Sequence, residues 1–193
     1  MIKECFNNRD FRVLWGAGGM TGIARAMEFL ALSLYALQEL GLPYLVTIIF
    51  AARMLPMSLL GIIIGTISER ISPLLLIKII YFLSNIFTAI SVILVITNKF
   101  NVYFAFILAF INGITWVVDL AVRRRVLAEN IKKNLLSSSL AMETLSNNAT
   151  RLIGPLCAGS LYAFVGLSGI FCLQLLMYIF ALGLIFRFKD NTN

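Results

Sequence analysis

Residues 102–134 read VYFAFILAFINGITWVVDLAVRRRVLAENIKKN, an apolar run with one aspartate near its end and a basic segment directly after it. Val102 to Val122 supplies the roughly 20 largely apolar residues that a helix needs to cross the hydrocarbon of a bilayer. A charge in hydrocarbon is costly, about 2.5–3.5 kcal/mol near a span centre on the most lenient scale. It persists where it faces a protein interior or a watery pathway and has partners. Arg25, Glu28, Arg53, Glu143 and Arg151 likewise sit inside or at the edge of apolar stretches. Together these three acids and three arginines cancel, as buried pairing requires. The chain reads as an all-α, polytopic membrane protein with a polar interior.

Composition agrees. Hydrophobic residues make up 60% of the 193 and charged ones only 13%, more apolar surface than a soluble fold of this size can hide. The net charge of +7 lies in short segments between apolar runs, so it orients the chain in a bilayer and does not point to nucleic acid. Zero histidines exclude His-based zinc sites, a haem axial histidine and every Ser-His or Cys-His arrangement. Cys5, Cys157 and Cys172 form no C-x-x-C pair, and the latter two are expected to pack as small apolar residues. No cofactor and no metal is expected. The N-terminus, MIKECFNNRDFR, lacks the pattern of a cleavable signal peptide.

Working outward from residues 102–122, comparable runs extend approximately from Val13 to Gln38, Pro43 to Ile67, Leu74 to Thr97, Leu136 to Phe164 and Leu167 to Phe186. The breaks ELGLP, SERISP, TNKFN and FVGLSG carry turn signals, and RRRVLAENIKKN is expected to be helical along the membrane surface. If six spans alternate, Lys3, Arg9, Arg12, Arg70, Lys78, Arg123, Arg124, Arg125, Lys132, Lys133, Arg187 and Lys189 share one side, against Lys99 on the other. The positive-inside rule then places both termini in the cytoplasm of a multi-pass protein of the cell (inner or plasma) membrane.

A weak internal repeat accompanies the spans. Gly22 precedes Glu28 by the same interval as Gly113 precedes Asp119, and Arg53 precedes Gly61 as Arg151 precedes Gly159. Pro56 and Pro155 are shifted by one. With three spans per unit, the second copy is inverted, a construction found in secondary transporters. The expected organisation is one domain over 1–193: a cytoplasmic segment 1–12, a three-helix unit over 13–97, its inverted copy over 98–187 and a cytoplasmic tail 188–193.

Several stretches carry a resemblance. NRDFRVLW leads into the first span; Gly65-Thr-Ile-Ser-Glu69-Arg70 follows the second; GITWVVDLAVRRRVLAEN closes the fourth; NNATRLIGPLCAGSLY occupies the fifth. In order and spacing these resemble the N-terminal six-helix half of the major facilitator superfamily, in particular its drug- and siderophore-exporter-like branch. Ser72-Pro73-Leu74 stands where that family has a glycine and a basic cluster, and Ala121 where it commonly has proline. The resemblance implies a cytoplasmic gate of Gly65, Glu69, Arg70, Asp119 and Arg123, and a small organic solute moved outward by alternating access.

The residues give narrower expectations. Glu28 and Arg53 should lie at similar depth, either as an ion pair or proton-linked site on a cavity wall or as a structural salt bridge. Asp119 either joins the gate or pairs locally with Arg123 one turn on. Glu143, Asn147 and Arg151 step along one face of the fifth span, lining a cavity where Arg151 meets anionic groups or packing against a neighbour. Gly154, Pro155 and Gly159 serve close helix packing and a kink. The expected function is solute transport, with lipid, a solute, a proton and a second six-helix half (self or another chain) as partners. The family normally has twelve helices, and the chain stops where a central loop would begin, so a fragment is slightly favoured over a natural half-transporter. The alternative is a non-transporting membrane interaction or assembly factor on the same scaffold. Nothing in the sequence marks an enzyme.

Overall fold

The computed structural model describes residues 2–7, 9–131 and 133–188, with the backbone alone for residues 2–4, 60–70, 133 and 134. Every regular element among them is helical. In chain order they are α1 (Ile2–Asn7), α2 (Arg9–Leu34, prolonged by a π-turn over Tyr35–Glu39), α3 (Tyr44–Arg70), α4 (Pro73–Ile96), α5 (Val102–Asn130) and α6 (Lys133–Phe186). By length and composition, four stretches among the described residues can cross a membrane: Arg9–Glu39, Pro73–Ile96, Val102–Asn130 and Leu135–Phe186; in α3 the described side chains reach only from Tyr44 to Leu59, and that part is apolar.

Local sequence sets the boundaries. Gly41 takes φ +66° after the π-turn and lets the chain reverse into α3. Ser72 is extended and Pro73 opens α4, its fixed φ already suited to a first helical turn. Asn101 caps α5 by accepting a 2.9 Å hydrogen bond from the Phe104 amide. The basic run 123–130, expected to lie along the membrane surface, instead continues α5 without a break. Val122, Val126 and Leu127 are buried together with Arg123, and this apolar spacing keeps the helix packed against the bundle.

At 1.5 Å per residue, 54 residues of helix would run about 80 Å, more than twice the thickness of hydrocarbon. α6 is broken at Gly166, whose φ of 62° and ψ of −164° are non-helical. Contacts with α2 show what the break does. Gly19 faces Ser146, Gly22 faces Thr150, Ala26 faces Gly154 and Leu30 faces Gly159, so residues 133–165 run parallel to α2. Gly16 faces Leu184 and Glu28 bonds Gln174, so residues 167–186 run antiparallel to it. The two arms of α6 therefore form a hairpin that holds α2. Between α2 and α3, Phe29 meets Phe50 and Arg53 reaches the Arg25 carbonyl, an antiparallel pair.

Small residues make these approaches possible. A Cβ at Gly113 would overlap the Arg53 carbonyl oxygen, and one at Gly154 would overlap the Ala26 Cβ. Two apolar clusters result. One gathers Phe11, Leu14, Ile77, Tyr81, Val122 and Ile185; the other gathers Met27, Leu32, Tyr35, Ile49, Leu108 and Phe171. Along α2, buried Thr21 and Arg25 lie between them. The outward faces are apolar, with Ile93, Tyr103, Leu156, Phe164 and Phe180 exposed, as lipid contact requires.

Candidate functional site

The polar layer divides into three parts. The first is a charge cluster linking four helices. Arg25 of α2 donates to Asp119 of α5 and, at 3.1 Å, to the Thr21 hydroxyl. Tyr81 of α4 donates to the other Asp119 oxygen at 3.0 Å. Arg123, one turn after Asp119, stands 3.3 Å from that oxygen and 3.4 Å from Glu143 of α6. All four charges are buried, Asp119 completely. Two arginines and two acids balance, so the cluster closes on itself. Gly18 makes room for it, because a Cβ there would coincide with the Arg123 guanidinium.

The second part surrounds Glu28. Gln174, from the second arm of α6, donates to its carboxylate. Together with Glu28, the polar groups of Ser84, Thr88, Asn112, Thr115 and Tyr178 line a small gap between α2, α4, α5 and α6. Glu28 is 3% exposed, so this carboxylate is held inside the bundle.

The third part is a cavity of about 280 Å³ where α2, α3, α5 and the first arm of α6 meet. Arg53, Trp116, Asn147 and Arg151 stand on its wall with Phe29, Phe50, Met54 and Pro155. The guanidinium carbons of Arg53 and Arg151 lie 5.3 and 5.0 Å from the centroid of the same indole, that of Trp116. Arg53 also stands 5.2 Å from the Phe29 ring, within the range of cation–π attraction. Among the described residues, Arg53 makes one hydrogen bond, a long 3.4 Å contact to the Arg25 carbonyl, and its buried Nε has no partner. Arg25 also borders the cavity, but its charge is taken up by Asp119.

The sequence predicts Glu28 and Arg53 at similar depth as a pair; the structure bonds Glu28 to Gln174, with no ion pair to Arg53 within 4 Å. Glu143, Asn147 and Arg151 were expected on one cavity wall. Asn147 and Arg151 line the cavity, while Glu143 turns to Arg123 because the cavity ends before the first turns of α6. Asp119 forms the local pair with Arg123 and also bonds Arg25, which the sequence leaves unassigned. The side chains of Gly65, Glu69 and Arg70 lie outside the described residues. Gly154 packs tightly against α2, Pro155 is inside helix α6, and Gly159 has only an ordinary 3.6 Å contact to Leu30. Tyr81, Trp116, Gln174 and Tyr178 carry no expectation from the sequence. An indole or phenol inside an apolar run reads as packing; the signal for Trp116 was its position, three residues after Gly113, as Arg25 is after Gly22.

A search of curated proteins finds no match. Residues 4–193 match the family model described as transmembrane secretion effector, a major facilitator family. The match spans nearly all of an all-helical chain whose interior carries paired charges and a polar cavity, and the protein belongs to the transmembrane secretion effector family of major facilitator transporters.

Proposed function

We propose that this chain is one six-helix wall of an exporter-like transporter that moves a small organic solute by alternating access. The cavity carries the reading: it places polar and aromatic groups of four helices around a space open beside exposed Phe50 and Arg151. An opposing wall, either a second copy or another six-helix half, would close it. Six crossings follow if α3 spans the bilayer and Gly166 turns α6 into two spans. The inverted repeat is supported by matched contacts: Gly22 meets the first arm of α6 at Thr150, and Gly113 meets α3 at Arg53. The positive-inside pattern supports cytoplasmic termini in the cell membrane. In this reading Asp119 and Arg123 join Gly65, Glu69 and Arg70 at a cytoplasmic gate, and Glu28 serves proton coupling.

Vesicles containing the full chain and loaded with carboxyfluorescein or ethidium test this. Release of either dye faster than from protein-free vesicles, and slowed by Trp116→Ala, is the expected result. Release of both at the protein-free rate would overturn transport and leave the scaffold as an assembly factor, detectable by co-purifying membrane partners.

A further inference from the structure

The cavity has a surplus of one charge sign. Three arginines border it and no aspartate or glutamate does. Asp119 neutralises Arg25, but among the described residues neither Arg53 nor Arg151 forms an ion pair. Both instead share the Trp116 ring, which attracts a cation weakly and does not neutralise it. A guanidinium carries five N–H donors and no acceptor. Arg53 uses one of them in a 3.4 Å bond, and no hydrogen bond is made by Arg151 to a described residue. Half-buried Arg53 and exposed Arg151, at the open side of the cavity, present unused donors to one space, where an anionic ligand can accept from both.

We infer that the cavity binds the anionic group of a small organic solute, with Arg53 and Arg151 as its donors and Trp116 as the platform for its apolar body. Carboxylate and phosphate oxygens fit the fork of N–H groups on a guanidinium, and bidentate pairing fixes orientation. Phe29, Phe50, Met54 and Pro155 supply the apolar remainder of the wall. At about 280 Å³ the space suits a compact, single-ring anion and is just below the size of drug-binding clefts. An organic cation would meet two like charges there and is disfavoured. The same anionic oxygens occur on lipid headgroups, so the source must be separated by experiment.

This inference rests on the transport reading for its solute, yet binding can be measured without transport. The chain has two tryptophans, so Trp15→Phe leaves Trp116 as the sole reporter. The full chain in neutral detergent is titrated with benzoate, phenyl phosphate and benzylamine, following indole emission, with calorimetry on the unsubstituted chain as a second measurement. Saturable responses to the two anions and none to benzylamine are expected. Arg53→Gln and Arg151→Gln should each weaken anion binding at least about tenfold, as loss of a charged hydrogen bond does, while exposed Arg12→Gln leaves it unchanged. No saturable response in either measurement, an equal response to benzylamine, or unaltered affinity in both arginine variants would overturn the inference. So would loss of benzoate binding in phosphatidylglycerol nanodiscs with retention in phosphatidylcholine ones, which would give the site to a lipid headgroup. Anion binding without dye release overturns transport alone; dye release without anion binding overturns the anion site alone.

Discussion

Arg25 and Asp119 stand 94 residues apart in sequence and are hydrogen-bonded in the buried centre of the bundle, tying α2 to α5. Because Asp119 also balances Arg123, its removal leaves two buried arginines facing Glu143 alone. Asp119→Asn is expected to destabilise the protein by about 3–5 kcal/mol, the usual effect of breaking a buried pair. Adding Arg25→Gln should recover part of that loss, since Arg123 and Glu143 then balance. Thermal unfolding in detergent checks it; a double variant as unstable as the single one would show that the charges are not coupled.

The seams between helices make a second set of expectations. Gly113→Ala forces a methyl group onto the Arg53 carbonyl, and Gly154→Ala onto Ala26 and the backbone near Ile23. Each should cost about 1–3 kcal/mol, because backbone cannot yield as a flexible side chain can. Gly159→Ala meets only Leu30 at 3.6 Å and should be close to neutral. Ranking the three by melting temperature is sufficient.

At Gly166 the constraint is conformational. Nothing lies within 4 Å of a Cβ built there, yet its φ of 62° with ψ of −164° belongs to a region open almost only to glycine. Gly166→Ala should therefore lose about 1–3 kcal/mol from backbone strain alone. Gly183→Ala, also with open space but inside the helix, should gain about 0.5–1 kcal/mol. Equal melting temperatures for the two variants would contradict this account of the hairpin.

Glu28 and Gln174 separate structure from coupling. Glu28→Gln keeps a group able to bond Gln174 and should change stability by less than about 1 kcal/mol, whereas Gln174→Leu removes one of the carboxylate's side-chain hydrogen bonds, leaving that to Asn112, and should cost about 1–3 kcal/mol. With the proton-coupling role proposed for Glu28, dye release in Glu28→Gln becomes insensitive to external pH. An unchanged pH response with normal folding would remove Glu28 from coupling.

The sequence marked which residues must face inward, since a charge in an apolar run has few alternatives. It did not tell which charges meet. α2 is apolar around much of its circumference, so its pattern leaves the azimuth of Arg25 and Glu28 undefined, and three acids could be shared among several arginines. The FVGLSG turn was legible because Gly166 has a conformational reason to be glycine. The continuation of α5 through 123–130 was not, because charge density alone suggested a surface segment while the burial of Val126 and Leu127 depends on partners elsewhere in the chain. Arg151 was placed on a cavity, but Trp116, the ring it shares with Arg53, looked like any other apolar aromatic.

The glycine contacts have a mechanical consequence. Gly22 and Gly154 lock α2 to the first arm of α6, and Gly113 locks α5 to α3. Each couple is interlocked backbone to side chain, so neither can open internally without leaving a void. The cavity with Arg53, Trp116 and Arg151 lies along the line where the two couples adjoin. Any bending of this wall is therefore concentrated on that line, as in a book hinged along its spine. The two arginines, one from each couple, would change their separation first.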